Sequence, residues 1–577
     1  MYCKDPLKDL NPKQFEAVAS EGTHLLVKAG PGTGKTRVLT ARILYLINRG
    51  VEPHQILAVT FTNKAALEIR NRLETAGLEK LPQLGTFHSW AFRIISCKEG
   101  RTPFVIDEQE QRFLFKEAVK ESQIKTEPKG LCERLLLLKQ QTERDFDGEN
   151  KDLKHLWICY HNLLKKHQLM DYEDLIINAT RHLKEDPNLL PKHVLVDEFQ
   201  DVSPIQFQLV RVLAAKAFIT AIGDPYQAIY GFRGADPQFI HRFATEFDPV
   251  KSVTLSDAYR CPQKVLDAAA SLFDGMTPLR SKEKKEGEIL YKGFETSEKE
   301  ASWIAVQIDK MIGGISFESM NRHSSGDFDE MGLSDICILY RTKAQAVTLT
   351  KALIRHGIPF HTPVNHSKAE ANAISMLHHL VGFFYGNVKR YHLARLGIQE
   401  ENAVKLASLL DFVQQGKCLD MEFLKAFVEV LDLNLPEEEL ERLRGVVSML
   451  KEGVPPTLAF KEEQDSLDFD VEAVSLMTLH GSKGLEFPVV FLTGVEEDIL
   501  PWKGSNVEEE RRLFYVGLTR SAQKVFITAC RKRRFYGRWM TTGPSAFIKA
   551  IEPYVSRDTT KPPKRRRPLK KKQKSLF

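Results

Sequence analysis

Short apolar runs punctuate the chain, and each gives way to glycine-rich or acidic sequence. HLLVKA (24–29) is the first, VLV (194–196) within KHVLVDEFQD the second, and the apolar stretch of AFITAIGDPYQ (217–227) the third. Runs of this kind, bounded by turn-forming residues, predict strands buried on both faces. After the first run, RVLTARILYLI (37–47) places its apolar residues at helical spacing. Between 99 and 187 the pattern changes. QRFLFKEAVKESQ, LCERLLLLKQQTE and LWICYHNLLKKH are rich in helix formers and predict a helical insertion. Residues 366–469 also read as helical. SKEKKEGE (281–288) and ISFESMNRHSSGDFDEMG (315–332) are polar and predict exposed loops.

Composition narrows the class. The chain has 577 residues, 42% hydrophobic and 27% charged, enough for several domains with cores of their own. No stretch approaches the ~20 apolar residues of a membrane span. MYCKDPLKDL at the start has no apolar signal region, so export is not expected. The eight cysteines include no CxxC pair, so neither a zinc site nor an iron–sulfur cluster is expected, and a reducing cytoplasmic compartment is. The net charge of +6 is unevenly spread, because residues 561–574 hold nine Lys and Arg and no acid. A basic groove elsewhere must come from local arrangement.

The first run carries the most definite chemistry. AGPGTGKT (29–36) lies between the predicted strand and helix, which is the setting of a P-loop. Ala29, Gly30, Pro31, Gly32, Thr33 and Gly34 form the loop, whose glycines let backbone N–H groups point at phosphate. The positive end of the following helix adds to this. Lys35 is placed to reach the β- and γ-phosphates of ATP, and Thr36 to offer a hydroxyl to Mg²⁺. At the end of the second run, Asp197 can hold the Mg²⁺ shell while Glu198 orients or deprotonates the attacking water. Alone, this pair reads as a solvated acidic turn; behind a P-loop it reads as catalytic. The third run ends at Asp224 and Gln227, where Gln227 can bridge γ-phosphate and water. Three strands ending in polar chemistry fit a ligand site at the carboxyl ends of a parallel sheet.

In chain order, LNPKQFEAV (10–18), the P-loop, AVTFTNKAALEIRNRL (58–73), GTFHSWAFRII (85–95), DEFQD, GDPYQAIYGFRGAD (223–236), LSDAYRCP (255–262), ICILYRTKAQA (336–346), VSLMTLHGSKGLEFPVVFL (474–492) and EEERRLFYVGLTRSAQKV (508–525) resemble the motifs of superfamily 1A DNA helicases, the UvrD/Rep group. The resemblance spans nearly the whole chain. It implies an α/β fold of two RecA-like P-loop motor domains, each with a mainly helical insertion. It also implies ATP and Mg²⁺ as cofactors, and single-stranded and 3′-tailed duplex DNA as partners. Gln14 is then the adenine reader, Tyr259 stacks on adenine, and Glu486 contacts the sugar. Arg37 lies near the phosphates or the LSDAYRCP segment. Arg260 and Arg520 supply transition-state charge, with Lys35, Glu198 and Gln227 completing the catalytic set. Phe61, His88, Tyr230, Phe232, Arg233 and His480 fall at DNA-contact positions; the alternative for Phe61 and Phe232 is a place in a core. The chain departs from the family pattern at Ala29 (usually Gly), Phe232 (usually Trp), Ala228 (often Ser) and in AYRCP, without losing a catalytic group.

The motif order predicts a first motor domain at 1–98 and 188–262, with the helical insertion 99–187. The second is predicted at 263–365 and 470–555, with a reduced insertion at 366–469. LMDYEDLI (169–176) also resembles a family feature of the first insertion. Residues 556–577 read as a disordered basic tail. Its end, with Gln573, Leu576 and Phe577, resembles the peptides that dock on bacterial sliding clamps. The family reading points to a 3′→5′ helicase in repair or replication. The short second insertion keeps open a translocase that strips proteins from DNA. A third reading is an ATP-gated DNA-binding subunit of a nuclease or defence complex.

Overall fold

The computed structural model describes residues 6–100, 103–124, 130–140, 151–276, 278–283, 286–313, 331–362, 472–535 and 538–557, with His379, Lys425 and Glu429. The expected second insertion lies outside these apart from those three residues. So do most of the 315–332 loop and the tail beyond Arg557, clamp-like peptide included.

Two large sheets organise the described chain. The first has six strands: β1 (His24–Ala29), β2 (Ile56–Thr60), β3 (Gln83–Thr86), β4 (His193–Val196), β5 (Phe218–Gly223) and β6 (Val250–Leu255), in the order β3-β2-β4-β5-β1-β6. All pairings are parallel. Burial on both faces explains the uninterrupted apolar runs. Leu25 and Val27 of β1 pack with Val38, Leu39 and Ile43 of the helix Lys35–Asn48, while Leu26 turns to Val194, Val196 and Phe199.

The second sheet has eight strands: β7 (Glu288–Thr296), β8 (Ile336–Tyr340), β9 (Phe360–His361), β10 (Val474–Thr478), β11 (Phe487–Leu492), β12 (Ser521–Phe535), β13 (Arg538–Thr541) and β14 (Ser556–Arg557). Its order is β9-β10-β8-β11-β12-β7-β14, parallel throughout, with β13 antiparallel on β12. Cys337, Leu339, Met477, Val490 and Ile527 fill one face; Ile336, Ile338, Leu476, Val489 and Phe526 fill the other. These are the two RecA-like α/β halves, parallel sheets flanked by helices.

Two local findings differ from the pattern-based expectation. Ser556 and Arg557, read as the start of the tail, instead add a strand beside Leu290 and Tyr291. Arg280–Ser281 pairs with Asp257–Ala258, and Glu288 already belongs to β7, so both ends of the polar 281–288 segment are strand. Ala258 and Cys261 are buried in a core shared by the two halves, together with Ile229 and Tyr230, while Tyr259 between them bonds back to Gly32 O.

Between β3 and β4 lies a helical unit with its own core. The helix Lys151–Lys166 buries Leu153, Leu156, Tyr160, Leu163 and Leu164 on one stripe. These meet Leu114, Phe115 and Ala118 of the helix Glu108–Ser122 and Leu135 of the helix Leu131–Gln140. Asp107 and Asp171 start two of its helices with reciprocal capping boxes.

Candidate nucleotide site and nucleic-acid platform

β1 ends at Ala29, and the next helix starts at Lys35 with Gly34 as its N-cap at φ 86°. Gly32 sits at φ 70°, and a Cβ there would lie 2.8 Å from the Arg260 Cβ. Positive φ and close approach both demand glycine at this point. Inside the loop, Thr33 Oγ1 donates to Gly30 O at 2.9 Å, and Pro31 is buried. The buried Gln14 side chain donates to Thr33 O at 2.9 Å. Asn11, which caps the helix Pro12–Val18, donates to the Tyr259 hydroxyl at 2.8 Å, and Tyr259 N donates to Gly32 O at 2.8 Å. Gln14, Tyr259 and the loop are thus one unit, with the Tyr259 ring half-exposed beside it. Arg37 instead turns away, donating to Asp9 O at 2.8 Å.

Lys35 Nζ lies 3.3 Å from Ala29 O and 4.0 Å from the Glu198 carboxylate. Thr36, partly exposed, follows it on the helix. At the end of β4, Glu198 takes the left-handed conformation (φ 50°), and its N–H donates to Asp197 Oδ1 at 3.0 Å. That turn directs two adjacent acids into the cleft, at the conformational cost usual for such a residue. Burial and the Glu198 charge push Asp197 upward. Burial also works against the Glu198 charge, but Lys35, Lys483 and a hydrogen bond from Gln200 outweigh it, so Glu198 stays ionised. A carboxylate and a hydroxyl are hard oxygen donors of the kind Mg²⁺ takes, so the partly buried Asp197 and Thr36 fit that ion.

The second half reaches into the same cleft. Arg520, fully buried just beyond the helix Val507–Leu518, donates to Leu485 O at 3.0 Å and to Gln227 Oε1 at 3.4 Å. Burial and neighbouring Arg260 lower its pKa to about 10, so it remains a cation. Gln227 in turn donates to Asp224 at 2.9 Å. Arg260 forms an ion pair with Glu486, whose side chain is otherwise well exposed. The structure therefore brings together Lys35 with Glu198, Gln227 with Arg520, and Arg260 with Glu486.

Lys483 was missed in the sequence. Only 5% exposed, it pairs with Asp201, lies 3.6 Å from Glu198 and donates to Gln227 O at 2.7 Å. A lysine in GSKG amid apolar sequence was the available signal. Gln200 was missed as well. Its Oε1 accepts the N–H of Asp224 at 2.9 Å while its amide donates to Glu198, tying the ends of β4 and β5 together.

The Lys483 ammonium also lies 5.2 Å from the centre of the Tyr230 ring. Tyr230 stacks on Phe61 at 4.6 Å, and Phe232 meets His480 edge-on at 5.5 Å. The Arg233 guanidinium lies 5.3 Å from Tyr230 and 5.6 Å from Phe232. Phe232 is 60% exposed but Tyr230 only 4%, so Phe232 offers the open face and Tyr230 backs it. Phe61 is half-buried against the second half's core. Burial, then the charges of Arg341, Arg233 and Lys483, lowers the His480 pKa to about 3, leaving it neutral. His88 meets Tyr172 of the helical unit edge-on at 5.7 Å.

A P-loop on one RecA-like sheet, with cations supplied across a cleft by a second, defines a two-domain P-loop nucleotide-dependent motor. Residues 10–248 match the UvrD/REP helicase N-terminal domain, and residues 253–368 and 389–532 the UvrD-like helicase C-terminal domain. The chain belongs to the UvrD-like helicase family. It is 28% identical to the ATP-dependent DNA helicase PcrA of Leuconostoc citreum, over 94% of this chain and 85% of that protein. For the proteins of the same name from Staphylococcus epidermidis and Staphylococcus aureus (strain Mu50) the identities are 29% and 27%, each over 94% of this chain and 86% of the relative. Among the described residues, no helix is long and apolar enough to cross a membrane.

Proposed function

We propose that this protein is an ATP-dependent DNA helicase that translocates 3′→5′ on single-stranded DNA, cytoplasmic and DNA-associated, in repair or replication. The observation that carries this reading is the cleft itself. Arg520 and Lys483 of the second half meet Gln227, Glu198 and Asp201 of the first, and a few residues on the same segment presents the Phe232 ring.

ATP is the substrate, its phosphates in the P-loop and its base beside Gln14 and Tyr259. Glu198, kept ionised, takes a proton from water as the water oxygen bonds to the γ-phosphorus, and the bond to the β-phosphate oxygen breaks to release ADP. Gln227 orients that water, and Lys35 and Arg520 face the charge that accumulates on the transferring group. Arg260 joins them when it leaves Glu486. Thr36 and Asp197 would hold Mg²⁺, which would supply positive charge against the phosphates. Assembly of these groups requires a shut cleft, which couples hydrolysis to domain movement. DNA bases stack on Phe232, with Phe61, Tyr230, His480 and Arg233 behind it and His88 further along the path.

The direct test is ATP-driven strand displacement on duplexes with a 3′ or a 5′ single-stranded tail. The 3′-tailed substrate is expected to open and the 5′-tailed one to persist; the reverse preference overturns the polarity. The tail supplies a separate contact. Deleting residues 573–577, with Gln573, Leu576 and Phe577, is expected to abolish binding to a bacterial sliding clamp and leave ATP hydrolysis unchanged. Failure of the intact protein to bind the clamp ends that part of the reading.

A further inference from the structure

The helix Val507–Leu518 belongs to the second half, yet one of its faces runs along residues 224–232 of the first. Successive turns make successive contacts. The Glu509 carboxylate accepts the N–H of Gly231 at 3.1 Å and that of Phe232. Arg512 Nε donates to Ala228 O at 2.6 Å, and the Tyr515 hydroxyl donates to Asp224 at 3.3 Å. Just past the helix, Arg520 reaches Gln227. Residues three apart on a helix share a face, so one rigid element touches the γ-phosphate end of this segment and its ring-bearing end together.

We propose that Glu509, with Arg512 behind it, is a positioning residue that makes the Phe232 platform depend on closure of the nucleotide cleft. The proposal rests on the DNA-coupled reading above. The turn Gly231–Arg233 carries the exposed ring and the guanidinium over it. Its first two N–H groups are held by a carboxylate from the opposite half, and charge-assisted bonds of this kind are the stronger ones. When the cleft opens, the carboxylate leaves with its helix and the turn loses that anchor. When nucleotide shuts the cleft, the movement that sets Arg520 on Gln227 also seats the turn. The coupling therefore has a physical carrier, a rigid helix with both ends engaged.

The experiment measures single-stranded DNA affinity of the full chain by fluorescence anisotropy, with and without a non-hydrolysable ATP analogue. In the wild type, nucleotide is expected to change the affinity by ~5–150-fold, the usual span of a coupling between sites. Glu509→Ala is expected to reduce that change to within about 2-fold, while its ATPase rate without DNA stays within about 2-fold of wild type. Glu509→Gln, which keeps one oxygen acceptor, is expected to retain most of the effect. A Cβ at Gly231 would lie 2.6 Å from the Glu509 carboxylate, so Gly231→Ala is expected to reproduce the loss from the other side. The double variant is expected to be no worse than either single one, as for two changes to one contact. Full nucleotide dependence in folded Glu509→Ala overturns the proposal, as does an equal loss of the DNA-free ATPase rate. If Glu509→Ala does not fold, wild-type coupling in Gly231→Ala overturns it instead. A wild type whose DNA affinity ignores nucleotide removes the DNA-coupled reading itself, and this inference with it.

Discussion

Two buried clusters, each with a cation set between acids, show how differently one motif of charge can be used. Within the second half, Arg533 pairs with Glu300 and Glu496 at 2.6 and 2.5 Å, all three nearly inaccessible. Cys530 lies beside them, and the three possible ligand atoms of Glu300, Glu496 and Cys530 are close enough to suggest a metal. The guanidinium already fills that place. Thr528, Thr542 and the N–H of Cys530 satisfy further carboxylate oxygens, and the two glutamates push Arg533 upward against its burial. Everything in this cluster belongs to one half. The Lys483 cluster joins two halves and includes a residue in a left-handed conformation. Burial raises the Asp201 pKa to about 7 even though Lys483 opposes the shift. The first cluster is complete and holds a fold; the second is strained and divisible, as a site that must open and close requires.

The contrast is broken most severely by substitutions that should affect only one side. Arg520→Ala is expected to lower DNA-stimulated ATP turnover by ~10³–10⁵-fold, the range of such arginines in related enzymes. Glu198→Gln is expected to cost ~10²–10⁴-fold in turnover, the contribution of a positioned base, while ATP binding by equilibrium dialysis persists. Arg533→Met should do the opposite. Removing one partner of a buried ion cluster costs about 3–5 kcal/mol of stability, visible in denaturant unfolding, while turnover per folded molecule is retained. Loss of turnover without loss of stability in that variant would place Arg533 with the motor instead. Phe232→Ala is expected to weaken single-stranded DNA binding by ~1–3 kcal/mol, one stacked base, and to leave DNA-free ATP hydrolysis alone.

A separate effect is a dependence on pH. His480 is neutral in the fold, with a pKa of about 3 against an ordinary value of about 6.5. The unfolded chain therefore binds the extra proton first. The stability that follows from this difference is complete above about pH 6.5 and declines as pH falls toward 3. Unfolding measured across that window is expected to show a shallower decline in His480→Gln than in the wild type. An unchanged slope would mean that His480 is already charged in the fold.

Much of this arrangement was legible in the sequence for a physical reason. Strands buried on both faces read as plain apolar runs, so β1, β4 and β5 stood out, and their carboxyl ends marked Lys35, Glu198 and Gln227. A contact between side chains far apart in the chain leaves no such periodic trace. Lys483 meets Asp201, and Glu509 meets Gly231, across hundreds of residues, and neither partnership has a local signature. The same limit applies to Arg37, which turns to Asp9, and to Glu486, which pairs with Arg260. Tyr230, expected among the DNA contacts, is only 4% exposed. Its burial comes from the second half folding over it, together with Ile229.

The most direct measurement is the steady-state ATPase rate of the wild-type chain with and without single-stranded DNA, with Glu198→Gln as the control. Strong stimulation that vanishes in Glu198→Gln is the expected result, because the Phe232 ring and the Glu198 carboxylate are joined through one cleft. A basal rate that depends on Glu198 but does not respond to DNA would contradict that connection.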